Sequence, residues 1–308
     1  MSALLVLLVR AFIAVIQALP LELVARLGRA GGALAYVFDR RHRGVALQNL
    51  ELALGREKTE PERRAIAREN FRRLGENYVC ALKTAVMSRE DLAAHMEWVG
   101  LPEAIPADGR SVVVAIGHFG NFELYGRGKE LMPGWNAAVT YRALRPPALN
   151  RLLLDLRERS GVLFFERRTG AEALRQAMNR GHILLALLAD QHAGDRGLWL
   201  PFFGRDCSCN AGCAVLALRY DAHLRSAICY RTGLARWRIE VGPEIPTQDA
   251  AGHPRSVAEL TREVNTVLEA AIRRDPANWF WVHRRWKPAS KWQQGTSAAK
   301  SELVASEE

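Results

Sequence analysis

Short apolar runs alternate with helical stretches along the middle of the chain, and this alternation restricts the folds that it can adopt. Residues 111–117 (SVVVAIG) form a β-branched run ending in glycine, which is typical of a strand buried on both faces. The remaining predicted strands lie at 137–141, 161–165, 183–189, 224–230 and 237–241. Predicted helices lie among them at 121–132, 147–160, 170–180 and 211–220. The pattern indicates an α/β domain with a mostly parallel central sheet flanked by helices.

Two capping boxes mark the starts of longer helices. Thr59 with Glu62 predicts a helix that continues to about Met87, and Ser256 with Glu259 predicts one that continues to Arg274. Residues 289–308 are rich in Ala, Ser, Gln and Lys, and we expect them to form a disordered tail.

The N-terminal segment favours association with a membrane. Residues 3–25 are mostly apolar, but Arg10, Gln17, Pro20 and Glu22 keep the clean stretches shorter than the roughly 20 residues that cross a bilayer. No small-residue cleavage site follows, so we expect no signal peptide. A group of arginines comes next, which favours the cytoplasmic side of the membrane: Arg26, Arg29, Arg40, Arg41 and Arg43.

We therefore predict a membrane-associated helical segment at 1–45, followed by the α/β domain at 46–288. The segment could cross the membrane once as a marginal span, or it could lie in the membrane interface as a helix. The alternative is a helix buried in the core of the protein. The formal net charge of +10 is typical of chains that bind polyanions such as anionic lipid or phosphorylated substrates, although solubility alone also accounts for it.

Five cysteines, an odd number, argue for a reducing compartment rather than a disulfide framework. Three of them lie close together, at Cys207, Cys209 and Cys213, but their spacing matches neither paired zinc ligands nor ferredoxin runs. We expect no metal and no cofactor.

Residues 117–123 (GHFGNFE) are the strongest candidates for catalytic residues in the sequence. Catalytic groups in open α/β sheets gather at the carboxyl ends of strands, which is where His118 would lie. Asn121 suits the N-cap of the next helix, and Glu123 would then fall in its first turn. Across this tight turn Glu123 could hydrogen-bond the imidazole and fix its tautomer, leaving the other nitrogen as a general base. A structural histidine is the competing interpretation.

With its surroundings, this motif resembles the lipid A biosynthesis acyltransferases (lauroyl and myristoyl transferases) of the glycerolipid acyltransferase superfamily. The resemblance extends from the apolar start to about Lys287. It is carried by an ordered series of blocks: the arginine cluster leading into 45–50 (VALQNL), the His-x4-acid motif His118–Glu123, Tyr141-Arg142 before Arg145-Pro146-Pro147, residues 161–167 (GVLFFER), Asp190-Gln191, 201–204 (PFFG) and 279–287 (WFWVHRRWK). Ala143 and Pro146 depart from the family's usual Pro and Asn.

The resemblance implies an acyltransferase that moves a fatty acyl chain from acyl-acyl-carrier-protein to a hydroxyl of a lipid A precursor. It would act at the cytoplasmic face of the bacterial inner membrane, in contact with membrane phospholipids. His118 would be the general base and Glu123 its orienting partner. No Ser or Cys lies in a nucleophile-elbow pattern, so we expect the acceptor hydroxyl to attack the thioester directly.

Cationic side chains would bind acceptor phosphates or the developing negative charge, with Arg142, Arg167 and Arg159 as candidates. Asp190 would hold one of these arginines in place, and Asn121 is a further candidate for binding substrate or oxyanion. The closing tryptophans, interleaved with basic residues, suit nucleic acid or a membrane interface. Given the N-terminus, we expect the membrane and no nucleic acid.

Other functions remain open at this point. The same chemistry suits a mannosylated or other glycolipid, or a lysophospholipid, as acceptor. A hydrolase would use the same His–Glu pair with water in place of the acceptor. A non-enzymatic, basic protein that binds membrane or nucleic acid would need neither His118 nor Glu123.

Overall fold

Among the residues that the structure describes, seven strands form one central sheet. The computed structural model describes residues 3–158 and 160–289. The strands are β1 Met96–Val99, β2 Val112–Ile116, β3 Asn136–Tyr141, β4 Leu163–Glu166, β5 Ile183–Leu188, β6 Leu198–Phe202, β7 Arg205–Cys209, β8 His223–Gly233 and β9 Arg236–Val241. The helices are α1 Ala3–Ala18, α2 Leu21–Phe38, α3 Arg40–Leu54, α4 Glu60–Thr84, α5 Arg89–Ala93, α6 Pro147–Glu158, α7 Ala171–Arg180, α8 Gly212–Arg219 and α9 Val257–Arg274.

The strand order in the central sheet is β1-β9-β8-β2-β5-β3-β4. Strands β8, β2, β5, β3 and β4 run parallel to one another, whereas β9 is antiparallel to β8 and pairs in parallel with β1. The predicted mostly parallel sheet is confirmed. The sequence pattern did not predict β1 or the separate antiparallel hairpin of β6 and β7.

Strand β2 shows why the sheet is buried on both faces. Val113 and Ala115 join one apolar cluster, whereas Val112, Val114 and Ile116 join the cluster on the opposite face. A strand covered on both sides reads as a continuous apolar run, and this is the pattern that predicted it.

The helices begin where their caps predict, with one departure. Both capping boxes are formed, at Thr59 before α4 and at Ser256 before α9, although α4 ends at Thr84 rather than near Met87. The stretch after His118 is different, because Phe122–Leu131 forms 3₁₀ turns instead of the expected α-helix. Glu123 still lies in its first turn.

Helices α1 to α4 form the N-terminal region, in which α2 packs very closely against α4. A Cβ atom at Gly32 would lie 2.1 Å from the carbonyl oxygen of Phe71, and one at Gly75 would lie 2.1 Å from that of Gly28. Only glycine permits this approach. Among the described residues, no helix is both long and apolar enough to cross a bilayer. Helix α3 runs across position 45, and the proposed division at 45/46 stays a prediction.

The predicted disordered tail at 289–308 lies outside the described residues from position 290 onward.

Candidate active site

His118 and Asp190 meet because their two strands are neighbours in register. Strands β2 and β5 pair in parallel with Ile116 opposite Leu188, so the positions two residues later, 118 and 190, also lie side by side. Oδ1 of Asp190 is 2.9 Å from Nδ1 of His118, and Oδ2 accepts the backbone N–H of His118 at 2.8 Å. A Cβ atom at Gly117 would lie 3.2 Å from Oδ2, so this approach favours glycine.

The indole of Trp279 also hydrogen-bonds the carboxylate of Asp190. It donates its N–H to Oδ2 of Asp190 at 2.9 Å. Two aromatic rings hold the imidazole of His118: Phe280 lies across it with centroids 5.5 Å apart, and Phe122 meets it edge-on at 5.0 Å. The orientation of the imidazole is therefore set by one carboxylate and two rings.

The protonation states of this pair follow from its surroundings. Burial lowers the pKa of His118, but the charge of Asp190, its hydrogen bond and the charge of Glu123 outweigh burial and raise that pKa above its usual value. Burial raises the pKa of Asp190, but the charge of His118 and hydrogen bonds from His118 and Trp279 lower it overall. An ionised Asp190 is only an acceptor, so in the neutral imidazole of His118 the proton is on Nδ1 and Nε2 holds a lone pair.

The expected hydrogen bond between His118 and Glu123 is not formed. Both carboxylate oxygens of Glu123 instead bind the guanidinium of Arg157 near the end of α6, with Nε at 2.9 Å from Oε2. The prediction that Glu123 orients the imidazole was wrong in this respect. So was the expectation that Asp190 holds an arginine, because its carboxylate binds His118 and Trp279. A planar, two-pronged guanidinium matches a carboxylate better than an imidazole does.

Arg157 was missed from the sequence. It lies in the last turn of the amphipathic helix α6, and nothing in its local pattern distinguishes it from a surface arginine. Its relation to Glu123 joins positions 34 residues apart and depends on the docking of α6 beside the strand ends. In the structure its guanidinium also lies over the ring of Phe164, with 5.9 Å to the centroid.

A cleft of about 1070 Å³ opens over His118 and Glu123. Much of its wall is apolar, including Leu82, Leu153 and Phe164. The described residues thus enclose a space that is both large enough for an alkyl chain and bordered by chemistry-bearing groups.

Cations line the same cleft. Arg142 and Arg167 directly follow Tyr141 and Glu166, which are partners in the pairing of β3 with β4, so the two arginines lie next to each other at the sheet edge. Arg284 and Lys287 line the cleft as well. Arg159, the other predicted cation, lies outside the described residues.

Asn121 also borders the cleft, but its side chain is almost fully buried. Its Nδ2 lies 3.4 Å from the hydroxyl of Thr84, and its Oδ1 has no hydrogen-bond partner among the described residues. A role for Asn121 in binding substrate or oxyanion stays a prediction.

The closing segment, residues 276–289, places two of its tryptophans in the core. Trp279 and Trp281 are 1% and 0% exposed, so the expectation that these tryptophans lie at a membrane interface was wrong. Two buried asparagines fix the segment by donating to its carbonyl oxygens. Asn49 in α3 binds those of Trp281 and His283, and Asn70 in α4 binds those of residues 277 and 279.

The free thiols of Cys207 and Cys209 in β7 and of Cys213 in α8 are buried. Within the described part of the chain, no three His, Cys, Asp or Glu side chains are placed so that they could hold a metal ion.

The chain is similar in sequence to known bacterial acyltransferases along most of its length. Residues 1–288 match the model of the bacterial lipid A biosynthesis acyltransferase family. The chain is 28% identical to a lipid A biosynthesis palmitoleoyltransferase of Escherichia coli (strain K12), covering 87% of this chain and 86% of that protein. It is 25% identical to the lauroyltransferase of the same organism, over 87% of each chain.

A shorter match involves a relative that is named for a different lipid. It is 28% identical to a phosphatidylinositol mannoside acyltransferase of Mycolicibacterium smegmatis, over 58% of this chain and 57% of that protein. All three relatives are named as acyltransferases. Since the family model matches nearly the whole sequence, the chain is an acyltransferase and belongs to the bacterial lipid A biosynthesis acyltransferase family.

Proposed function

We propose that this protein moves a fatty acyl chain from acyl-acyl-carrier-protein to a hydroxyl group of a lipid A precursor. The observation that carries this proposal is the His118–Asp190 pair at the border of the large cleft. The imidazole is oriented, its Nε2 holds a lone pair, and the space beside it accommodates an alkyl chain. Family membership supports the reaction class and a lipid A-type acceptor.

In this mechanism His118 is the general base. Its Nε2 takes the proton of the acceptor hydroxyl as the oxygen attacks the thioester carbonyl carbon. Asp190 keeps the imidazole in the right tautomer and stabilises the imidazolium that forms. Collapse of the tetrahedral intermediate breaks the carbon–sulfur bond, and the imidazolium returns the proton to the departing sulfur. No covalent enzyme intermediate is required.

Glu123 and Arg157 have a different part in the proposal. Their ion pair links the first turn after His118 to the end of α6, and both residues line the cleft. The carboxylate of Glu123 also favours the charged imidazole from a distance, because its negative charge raises the pKa of His118. Glu123 therefore assists the base without orienting it.

Arg142 and Arg167 would bind phosphate groups of the acceptor. Guanidinium groups suit bidentate contacts with phosphate, and these two form no ion pair within the described part of the chain. Arg284 and Lys287 line the same cleft and add to its positive charge. Arg159 stays a candidate from the sequence. The donor's acidic carrier would be attracted by the same excess of positive charge.

The N-terminal region would bind phospholipids at the cytoplasmic face of the bacterial inner membrane. Large apolar side chains of α1 and α2 are exposed there, among them Leu4, Leu7, Leu8, Phe12, Leu27, Leu34 and Phe38. Arginines accompany them at positions 10, 26, 40 and 41. Exposed apolar groups with basic neighbours are typical of helices that lie in the headgroup region of anionic membranes.

A mannosylated glycolipid is the second candidate acceptor. Its support is the similarity to the phosphatidylinositol mannoside acyltransferase of M. smegmatis. The chemistry proposed for His118 and Asp190 would be the same, so only the identity of the hydroxyl-bearing lipid differs between the two candidates.

Purified enzyme assayed against a panel of acceptors tests the proposal. With acyl-acyl-carrier-protein as donor, we expect acylated lipid A precursor, and His118→Ala should lower turnover by about three orders of magnitude or more. His253→Ala, at an exposed histidine far from the cleft, serves as the matched control. Acylation of the mannosylated glycolipid alone would overturn the acceptor, and release of free fatty acid without any acylated lipid would overturn acyl transfer.

A further inference from the structure

His283 lies in the closing segment and lines the cleft that contains His118. Its position in the backbone is fixed, because its carbonyl oxygen accepts hydrogen bonds from Nδ2 of Asn49 at 2.6 Å and from the N–H of Arg285 at 2.8 Å. It follows Phe280, whose ring lies across the imidazole of His118, by three residues. A second imidazole is thus held at the border of the cleft, which is the proposed reaction space.

The hydrogen bonds of His283 determine which of its nitrogens carries the proton. Its Nε2 accepts the backbone N–H of His192 at 3.0 Å. A backbone amide can only donate, so Nε2 must hold a lone pair, and in the neutral ring the proton is on Nδ1. The same contact occupies the lone pair, so His283 cannot act as a second general base.

The ring stays neutral at physiological pH. Burial lowers the pKa of His283; Asp190 opposes burial, whereas Arg285 and His118 add to it, and the resulting value is about 4. At pH 7 His283 is therefore an imidazole with a single N–H.

The Nδ1–H group is free to act in the cleft. Nδ1 of His283 has no hydrogen-bond partner among the described residues. It is also not fully buried, since it is absent from the buried polar atoms without a partner. Nδ1 therefore keeps accessible surface, and the residue lines the cleft. A neutral donor of fixed tautomer, held rigidly at a reaction space, is suited to stabilise an oxygen on which negative charge develops.

We infer that His283 donates its Nδ1–H to the oxyanion of the tetrahedral intermediate during acyl transfer. This inference rests on the proposed function. As the acceptor oxygen bonds to the carbonyl carbon, the electron pair of the C=O π bond moves to the carbonyl oxygen, and the acceptor's proton passes to Nε2 of His118. The oxyanion then accepts the hydrogen bond from His283, which keeps its proton throughout. When the carbon–sulfur bond breaks, the C=O bond re-forms and the interaction weakens.

Two amide substitutions separate the donor from the acceptor function of this ring. In His283→Asn the side-chain amide can present an N–H near the position of Nδ1 but loses the acceptor for His192. In His283→Gln the amide oxygen can replace Nε2 as the acceptor for His192, but no donor lies near the position of Nδ1. His253→Gln, at a histidine 78% exposed in a surface loop, is the control.

We expect His283→Gln to lower kcat about a hundredfold with KM changed by no more than about threefold, and His283→Asn to retain about a tenth or more of the wild-type kcat. Equal losses in both variants, no loss in His283→Gln, or a change in KM alone would overturn the inference. The ¹⁵N NMR shifts of His283 in the wild-type enzyme give a second test, because finding the proton on Nε2 at pH 7 would also overturn it. If His118→Ala retained full transfer activity, the proposed function would fail; with His118 required and His283→Gln fully active, only this inference would fail.

Discussion

The guanidinium of Arg157 binds both carboxylate oxygens of Glu123, so the acid of the His-x4-acid motif is not the partner of its histidine. The imidazole of His118 pairs with Asp190 instead, 72 residues further along the chain. Two acidic residues therefore affect one imidazole in different ways. Asp190 contacts the imidazole, and the charge of Glu123 helps to raise its pKa.

Asp190→Asn should lower kcat by about three orders of magnitude. The amide can donate a hydrogen bond, so it allows the wrong tautomer of His118 and removes the charge that stabilises the imidazolium. Steady-state kinetics measures the loss, with Asp206→Asn in the exposed part of β7 as control. A decrease smaller than tenfold would contradict the role given to Asp190.

Glu123 and Arg157 should act as one unit. Glu123→Gln and Arg157→Met each remove the same ion pair, so the double variant should lose hardly more activity than the more damaging single change. From kcat/KM values we expect a coupling energy of about 1–3 kcal/mol in a double-mutant cycle. Losses that simply add would indicate independent functions for the two residues.

The pH profile should report His118. A general base acts only when unprotonated, and the pKa of His118 is raised above its usual value, so kcat/KM should fall as the pH drops through that raised pKa. Glu123→Gln removes one of the charges that raise the pKa, and the acidic limb should move to lower pH. An unchanged limb in this variant would show that the titrating group is not His118.

Binding to membranes should depend on the exposed apolar side chains of α1. Leu8 and Phe12 are 57% and 53% exposed, and replacing either by Glu should weaken binding to vesicles containing anionic phospholipid about tenfold or more. Val215→Glu changes a side chain on α8 that is 42% exposed and serves as control. Vesicle co-sedimentation measures the effect, and equal weakening by Val215→Glu would rule out a specific role for α1.

Glu76→Gln should destabilise the fold rather than alter the chemistry. Glu76 is fully buried and its carboxylate pairs with Arg29 and Arg231, so its loss leaves a largely buried cation without its counter-charge. We expect a decrease in the free energy of unfolding of about 3 kcal/mol. Denaturant unfolding measures it, and Glu60→Gln, in an exposed pair with Arg64, should leave the transition unchanged.

Local sequence patterns predict much of the architecture. Apolar runs predicted the buried strands, and Thr59 and Ser256 predicted helix starts, because these signals depend on neighbouring residues. His118 and Asp190 were each expected at a strand end for the same reason. Their pairing was not predictable, because it depends on β2 and β5 being neighbours, and strand order is set by tertiary packing.

The burial of the closing segment was likewise not predictable from local sequence. Its mixture of tryptophans and basic residues suggested a membrane-facing surface, since composition alone does not reveal burial. What buries Trp279 and Trp281 is long-range packing together with hydrogen bonds from Asn49 and Asn70, more than 200 positions away. His283 was overlooked as a donor because its tautomer depends on a contact with His192 that no local pattern encodes.

The dependence of the site on the closing segment has a consequence for synthesis of the protein. His118 and Asp190 leave the ribosome well before Trp279 and His283. The indole of Trp279 donates a hydrogen bond to the carboxylate of Asp190. A nascent chain that has folded its sheet therefore still lacks one wall of the reaction space. We therefore expect acyl transfer only after residues 279–283 have been synthesised and packed, and a chain truncated shortly before Trp279 should lack activity.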